Sequence, residues 1–360
     1  MEIKEVERVL SEVVHPEFDR NIVELGMVEN LRIDSDGTGI RFNLVFPRAD
    51  AMAGSIKNEI REHLGLAFGN VDIAITEIIR AKKVTKKNIN DLGNEQLARV
   101  NNIIAIASGK GGVGKSTVTV NLAVALANAG YKVGVVDADI YGPSIPKMTA
   151  TEGFMPQAQE GTELIIPNEK YGIKWMSVGY FVDPSQALIW RGPMACNALK
   201  QIILQTKWDE LDFLLLDMPP GTGDIHITLV QDIPVSGAIV VTTPQDVALA
   251  DVEKGINLFR NKDVNKKILG IVENMSWFTP AELPNNRYYI FGRGGAQKMA
   301  GKYNVPLLGQ IPLVQSICEC GDVGAPSALD ENTSSSISSF NSSLVHDTFR
   351  NLAETVVAQI

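Results

Sequence analysis

Apolar and polar positions follow two different rhythms along this chain. In the first 80 residues the apolar positions form short, separate groups: a helical period over 3–14, strand-like runs at 27–33 and 39–46, a second helical period over 51–64 and a last strand at 71–75. A turn at His15-Pro16-Glu17 ends the first helix, and Asp34-Ser35-Asp36-Gly37 is a hairpin signal between the first two strands. These elements predict a small α/β domain over residues 1–80. The apolar period then fades into Lys82, Lys83, Lys86, Lys87, Asn88, Asn90, Gly93 and Asn94, which predicts a linker over 81–98. Its lysines suit a solvated tether or a contact with a partner.

From residue 99 to 360 the rhythm changes. Apolar strand candidates at 103–107, 132–136, 213–216, 237–241, 268–272 and 307–311 alternate with helical patterns. Such alternation builds a mostly parallel sheet covered on both faces, with ligands gathered at the carboxyl ends of its strands. A Ser/Asn-rich stretch over 332–343 reads as a loop before a final helix that ends at Ile360, and no tandem repeat is visible.

The first of these strands runs into Gly109-Lys110-Gly111-Gly112-Val113-Gly114-Lys115-Ser116-Thr117, and a helical run over 118–129 follows, closed by Gly130. The segment matches the phosphate-binding pattern G-x-x-x-x-G-K-[ST] in full, in the order strand, loop, helix. The glycines let successive N–H groups turn inward on phosphate oxygens. Lys115 supplies a point charge to the β- and γ-phosphates, Ser116 a hydroxyl to Mg²⁺, and the helix start a positive dipole end. Gly109, Gly111, Gly112, Val113, Gly114, Lys115, Ser116 and Thr117 are therefore the candidate nucleotide-binding residues.

Acidic residues sit where a cation beside those phosphates needs them. The strand at 132–136 ends in Asp137-Ala138-Asp139, and that at 213–216 in Asp217-Met218-Pro219-Pro220-Gly221-Thr222-Gly223-Asp224. One aspartate at a strand end is often a cap or turn former. Three near one phosphate loop point to Mg²⁺, a small hard cation held by carboxylates and water. Gly221 can swing its N–H toward the γ-phosphate and so respond to its presence.

Composition narrows the classes. The 360 residues carry 42 acidic and 33 basic side chains, a formal charge of −9, which argues against general affinity for nucleic acid or an anionic membrane. No apolar run approaches the ~20 residues of a spanning helix, and the charged start Met1-Glu2-Ile3-Lys4-Glu5 has no signal-peptide core. Three cysteines, Cys196, Cys318 and Cys320, make no disulfide framework and suit a reducing compartment, the cytoplasm. The four histidines, His15, His63, His226 and His346, show no metal-ligand spacing.

With Lys110 ahead of Gly111-Gly112-Val113-Gly114-Lys115-Ser116-Thr117, the loop resembles that of the deviant Walker A ATPases, the class of MinD, ParA and nitrogenase iron protein. The strings Asp139-Ile140-Tyr141-Gly142-Pro143-Ser144-Ile145-Pro146, Trp190-Arg191-Gly192-Pro193-Met194, Asp217 to Asp224 and Glu273-Asn274-Met275-Ser276 resemble the Mrp (ApbC) branch of iron–sulfur cluster carrier ATPases. The likeness covers nearly the whole chain, since His15-Pro16-Glu17 and Ile22-Val23-Glu24-Leu25-Gly26 are similar to the small cluster-assembly domain that often opens members of that branch. The resemblance implies a P-loop NTPase fold preceded by that domain, and a homodimer that sandwiches ATP. It implies that Lys110 acts across the interface on the partner's nucleotide, that Asp139 orients the attacking water and that Asp217 and Ser116 serve Mg²⁺, beside Asp137 at its strand end. It also implies that Asn274 contacts adenine, with residues 311–313 lining the base pocket. The expected partners are iron–sulfur scaffold or recipient proteins, and the expected cargo a transient [4Fe-4S] cluster.

One feature departs from that branch. Its members usually follow Asn-Met-Ser with a C-x-x-C pair, and here Pro280 and Leu283 occupy those positions, neither able to ligate iron. Cys318 and Cys320 are the remaining candidate cluster ligands, against a plain reading as half-buried small residues, and Cys196 reads as packing. Two functions stay open: an ATP-hydrolysing iron–sulfur carrier, or a cluster-free, ATP-dependent dimeric switch that controls partner proteins. Electron transfer would demand a bound redox cluster and the absent ligands.

Overall fold

Alternating burial along single strands organises both units of the chain, Met1–Lys86 and Lys87–Ile360. The computed structural model describes residues 3–16, 20–34, 37–46, 52–79, 95–181, 192–262, 264–280, 282–329 and 342–360. Residues 81–94 of the expected linker, 332–341 of the Ser/Asn-rich stretch, Glu17, Ser35, Asp36 and the Trp190-Arg191 pair lie outside the described residues.

The first unit runs α1 (Ile3–Leu10), β1 (Val14–His15), β2 (Arg20–Asn21), β3 (Val28–Ile33), β4 (Gly39–Phe46), α2 (Ala53–Phe68) and β5 (Asp72–Ile79). Along β4, Ile40, Phe42, Leu44 and Phe46 point into the core while Arg41 faces solvent. Ile56, Ile60 and Leu64, spaced by four on α2, pack into the same core with Val6 and Leu10 of α1. The three-stranded sheet has the order β3-β4-β5, antiparallel then parallel, with α2 as the crossover that the parallel pair requires.

The expected first helix over 3–14 is corrected here. It stops at Leu10, and Val14–His15 pairs instead with Arg20–Asn21. Valines 13 and 14 are stiff in a helix, and Pro16 disfavours helical backbone at His15.

The second unit holds an eight-stranded sheet of β6 (Val100–Ser108), β7 (Val133–Asp137), β8 (Asn168–Lys170), β9 (Ile173–Ser177), β10 (Leu211–Asp217), β11 (Gly237–Thr242), β12 (Ile268–Glu273) and β13 (Leu307–Gln310). Its order is β13-β12-β11-β6-β10-β7-β9-β8, parallel except for the edge pair β8–β9. Helices α3 (Lys115–Asn128), α4 (Ile145–Met148), α5 (Gly192–Gln205), α6 (Asp224–Asp232), α7 (Asp246–Arg260), α8 (Gly295–Tyr303), α9 (Gln315–Val323) and α10 (Ser342–Val357) connect or flank the strands.

Both faces of this sheet are covered. Ile103, Ala105 and Ala107 of β6 enter a core with Leu199, Trp208, Val252 and Phe259. Ile104 and Ile106 enter the opposite core with Val118, Leu122, Trp175 and Phe349. That two-sided burial makes the central strands read as unbroken apolar runs. The β8–β9 hairpin was not expected: β8 is only three polar residues, and the strand pair is set by Tyr171 (φ 57°) and Gly172 (φ 71°), both left-handed as a type I′ turn requires. Among the described residues no helix is long and apolar enough to cross a membrane.

Trp208 is fully buried and its indole N–H donates to the Ile203 carbonyl at 2.8 Å. Trp208→Ala is expected to cost about 3–5 kcal/mol through the cavity it leaves. Urea unfolding of the two proteins measures this, and a variant as stable as the parent would remove Trp208 from the core argument.

Candidate nucleotide-binding site

The loop between β6 and α3 has the backbone that its glycines allow. Gly112 and Gly114 are left-handed at φ 80° and 81°. Close packing adds a second demand. A Cβ on Gly109 would stand 2.3 Å from the Asp251 main chain of α7, and one on Gly114 would stand 2.2 Å from Asn274 Nδ2. The loop is therefore clamped by α7 and by the chain leaving β12, and its middle glycines, Gly111 and Gly112, face solvent. The Ser108 hydroxyl donates to the Lys110 carbonyl at 3.0 Å and Val113 is buried beneath the loop.

At the start of α3, Lys115 is buried and its Nζ lies 2.7 Å from Asp217 Oδ2. The same oxygen accepts from Ser116 Oγ at 2.6 Å, and Oδ1 accepts from Thr119 Oγ1 at 2.7 Å. Thr119 is missing from the sequence candidates. Its signal was a hydroxyl one turn after Lys115 on a helix otherwise packed with Val118, Val120 and Leu122.

Asp137 and Asp217 are register partners at the ends of adjacent strands. Asp137 is fully buried, and its carboxylate accepts from the Asp139 and Ile145 main chain at 3.2 Å each and from Ser177 Oγ at 3.0 Å. Ser177 also went unseen in the sequence, because it lies on the unexpected strand β9. Burial, with the charge of Asp217 next, pushes the Asp137 carboxyl up to about 7, against the pull of Lys115. Asp139 is half-buried, and burial raises its pKa while Lys115 opposes the rise.

Two buried carboxylates thus share one buried lysine. That donor set suits a hard divalent cation, which would balance the remaining charge through Asp137, Asp217 and the Ser116 hydroxyl.

Other expected residues take definite positions. Thr117 sits half-buried in the first turn of α3, its carbonyl accepting from Asn121 Nδ2 at 2.9 Å. Lys110 is half-exposed, and its ammonium has no ion-pair partner among the described residues. Asn274 is buried, and its Nδ2 donates to the Val113 carbonyl at 2.9 Å, so this amide braces the phosphate loop. The next residue, Met275, is left-handed at φ 55°, a conformation that a non-glycine residue adopts at a cost. Ile311 is buried and its N–H donates to the Glu273 carbonyl at 2.8 Å. The Gly221 N–H is committed to the Ser108 carbonyl at 3.0 Å.

Cys318 and Cys320 both lie on α9, where a separation of two residues turns them about 200° apart. Cys318 is exposed and Cys320 buried, its thiol pKa raised by that burial. As folded, the two sulfurs do not face one ligand. Cys196 is buried on α5. Among the described residues no group of three or more His, Cys, Asp or Glu could hold a metal. A cavity of about 500 Å³, lined by Ala125, Tyr131, His346 and Arg350, opens at the far end of α3 and contributes nothing to the phosphate loop.

A parallel sheet with a glycine loop feeding α3, and a strand-end aspartate holding the loop's Lys and Ser, defines a P-loop NTPase. Residues 99–348 match the ParA family model, described as NUBPL iron-transfer P-loop NTPase, and the chain belongs to that family. Residues 3–75 match the model of iron-sulfur cluster assembly proteins. An iron-sulfur cluster carrier protein of Synechocystis sp. is 42% identical over 335 residues, 91% of this chain and 92% of the relative. One from Salmonella typhimurium is 51% identical over 261 residues, 72% of this chain and 67% of the relative. An Archaeoglobus fulgidus nucleotide-binding protein, solved in complex with ADP, is 37% identical with a TM-score of 0.58, covering 66% of this chain and 91% of that one.

The Asp137 carboxyl gives the site a testable pH signature. With its folded pKa above the ordinary 3.8, the native state binds more protons than the unfolded state between about pH 4 and 7. Stability from this group is therefore present below that window and lost as pH rises through it. In the nucleotide-free protein, the stability of Asp137→Asn relative to the parent should rise by roughly 2–4 kcal/mol between pH 4.5 and 8. Urea titrations across that range measure the difference, and a flat difference would contradict the assignment.

Proposed function

We propose that this chain hydrolyses ATP with Mg²⁺ as a cytoplasmic homodimer and carries iron–sulfur clusters between scaffold and recipient proteins, with no nucleic acid or membrane among its partners. The observation that carries the hydrolytic half is Asp217, buried, with Lys115, Ser116 and Thr119 drawn onto its two oxygens beside Asp137. The names of the relatives support the carrier half. We assign residues 1–80 to a cluster-assembly domain, 81–98 to a linker and 99–360 to the ATPase.

In the reaction, water attacks the γ-phosphorus and releases ADP and phosphate. The N–H groups of Gly111 to Ser116 bind the phosphates, and Lys115 leaves Asp217 for the β- and γ-oxygens. Ser116, Asp137 and Asp217 would hold Mg²⁺, which would supply charge neutralisation at the phosphate oxygens. Asp139, half-buried, orients the water. Asn274 contributes to the adenine side while bracing Val113. Lys110 completes the neighbouring protomer's site, in keeping with an ammonium that has no ion-pair partner among the described residues.

Lys110→Ala is accordingly expected to slow ATP hydrolysis by about 10²–10³-fold while ADP affinity changes by less than ~3-fold. Turnover and ADP titration together test this, and parental turnover in the variant would sink the role in trans.

A second reading, a cluster-free ATP-dependent switch or adaptor, is favoured by Pro280 and Leu283 in place of thiolates and by the burial of Cys320. Anaerobic loading with iron and sulfide separates the two. The carrier reading expects stoichiometric iron per dimer with visible absorption, lost in Cys318→Ser/Cys320→Ser if those thiols hold the cargo. No cluster in the parent protein would favour the adaptor.

A further inference from the structure

The segment joining β10 to α6 contains Pro219 and Pro220, which have no N–H to donate. It is held instead at three points. The Met218 N–H donates to the Ile106 carbonyl and the Gly221 N–H to the Ser108 carbonyl, both at 3.0 Å. Between them, the buried Pro219 carbonyl lies 2.7 Å from His226 Nε2 on the first turn of α6. A carbonyl only accepts, so Nε2 carries the ring hydrogen and donates it.

His226 is 3% exposed, and burial holds its pKa below the usual imidazole value, so the neutral ring makes this bond. Its Nδ1 is then an unprotonated acceptor that finds no donor among the described residues, the Gly223 carbonyl beside the ring being an acceptor as well. An apolar side chain would avoid that orphaned nitrogen but would leave the Pro219 carbonyl unpaired instead. Neither side of this exchange improves packing, which points to a requirement on Pro219 itself.

We infer that His226 is a positioning residue: it fixes the Pro219 end of the segment, so that the Gly221 end alone swings from Ser108 toward a terminal phosphate. Gly221, left-handed at φ 95°, has the backbone freedom for the hinge. Gly111 brings the phosphate loop to this segment, since a Cβ built on it would lie 4.0 Å from Pro220. The expected effect on turnover rests on the ATP-hydrolysis reading above. The effect on the resting segment does not.

Three substitutions separate this role from packing. In His226→Gln the amide nitrogen reaches where Nε2 stands, in His226→Asn it reaches only as far as Nδ1, and His226→Leu has no donor. We expect Gln to keep kcat within ~2-fold, and Asn and Leu to lower it roughly 10-fold with KM and ADP affinity within ~3-fold. In the nucleotide-free proteins, amide hydrogen exchange over residues 221–223 should be parental in Gln and faster in Asn and Leu. Equal behaviour of Gln and Asn, or a better rescue by Asn, would overturn the inference, even if the Leu variant fails to fold. Should the parent bind ATP without turning it over, the hydrolysis reading falls, and the exchange pattern still decides the role of His226.

Discussion

The site depends on where β10 lies. Hydrogen-bonded between β6 and β7, it delivers Asp217 opposite both Ile106 and Asp137. From there a single carboxylate reaches Lys115, Ser116 and Thr119. A slip of one residue in that register would turn Asp217 to the other face of the sheet and leave Lys115 buried with no counter-charge. The same slip would exchange the side chains that the two cores hold, since Leu214 and Leu216 pack into one and Phe213 and Leu215 into the other. The position of the charged group is thus tied to the fit of the apolar side chains on either side of it.

The sequence made legible what is local. The glycine loop, its lysines and the helix after it were readable because the required dihedrals and spacing lie within nine residues, and the central strands were readable as unbroken apolar runs. What escaped depends on long-range pairing. Thr119 meets Asp217 across 98 positions, and Ser177 meets Asp137 across 40. Strand β8 is too short and polar to show a period, and the first helix overran because its apolar spacing continues into valines that the fold uses as a strand. Cys318 and Cys320 looked like a pair in one dimension, but a helix turns alternate residues to opposite sides. Asn274 was expected toward a base, and nothing in its neighbourhood in sequence announced that its amide would meet Val113, 161 positions away.

These contacts divide the site into a fixed part and a movable part. The loop from Gly109 to Gly114 is fixed from outside, by the main chain of α7 pressed on Gly109 and by the Asn274 side chain pressed on Gly114. Both glycines would be needed there for packing even if no phosphate were ever bound, so the cradle is already shaped in the absence of ligand. Such a cradle binds nucleotide with little rearrangement, and preorganised donors of this kind stabilise developing charge without a reorganisation cost. It also cannot report which nucleotide it holds, since a clamp that is the same before and after binding transmits no difference.

Reporting must fall to groups with a second place to go. Gly221 is held by one N–H to Ser108, and Lys115 is held to Asp217 by a contact that phosphate oxygens can replace. Both shifts converge on the same two strands, since Ser108 ends β6 and Asp217 ends β10. A terminal phosphate that drew Gly221 and Lys115 together would therefore leave the Ser108 carbonyl without that donor, and the Asp217 carboxylate with Ser116 and Thr119 but without its counter-charge. Unpaired buried acceptors cost about 1–3 kcal/mol apiece. A cation at Asp217 and a new partner for Ser108 would have to accompany the phosphate, so the chemistry that completes the site also decides whether the segment between β10 and α6 stays where it is.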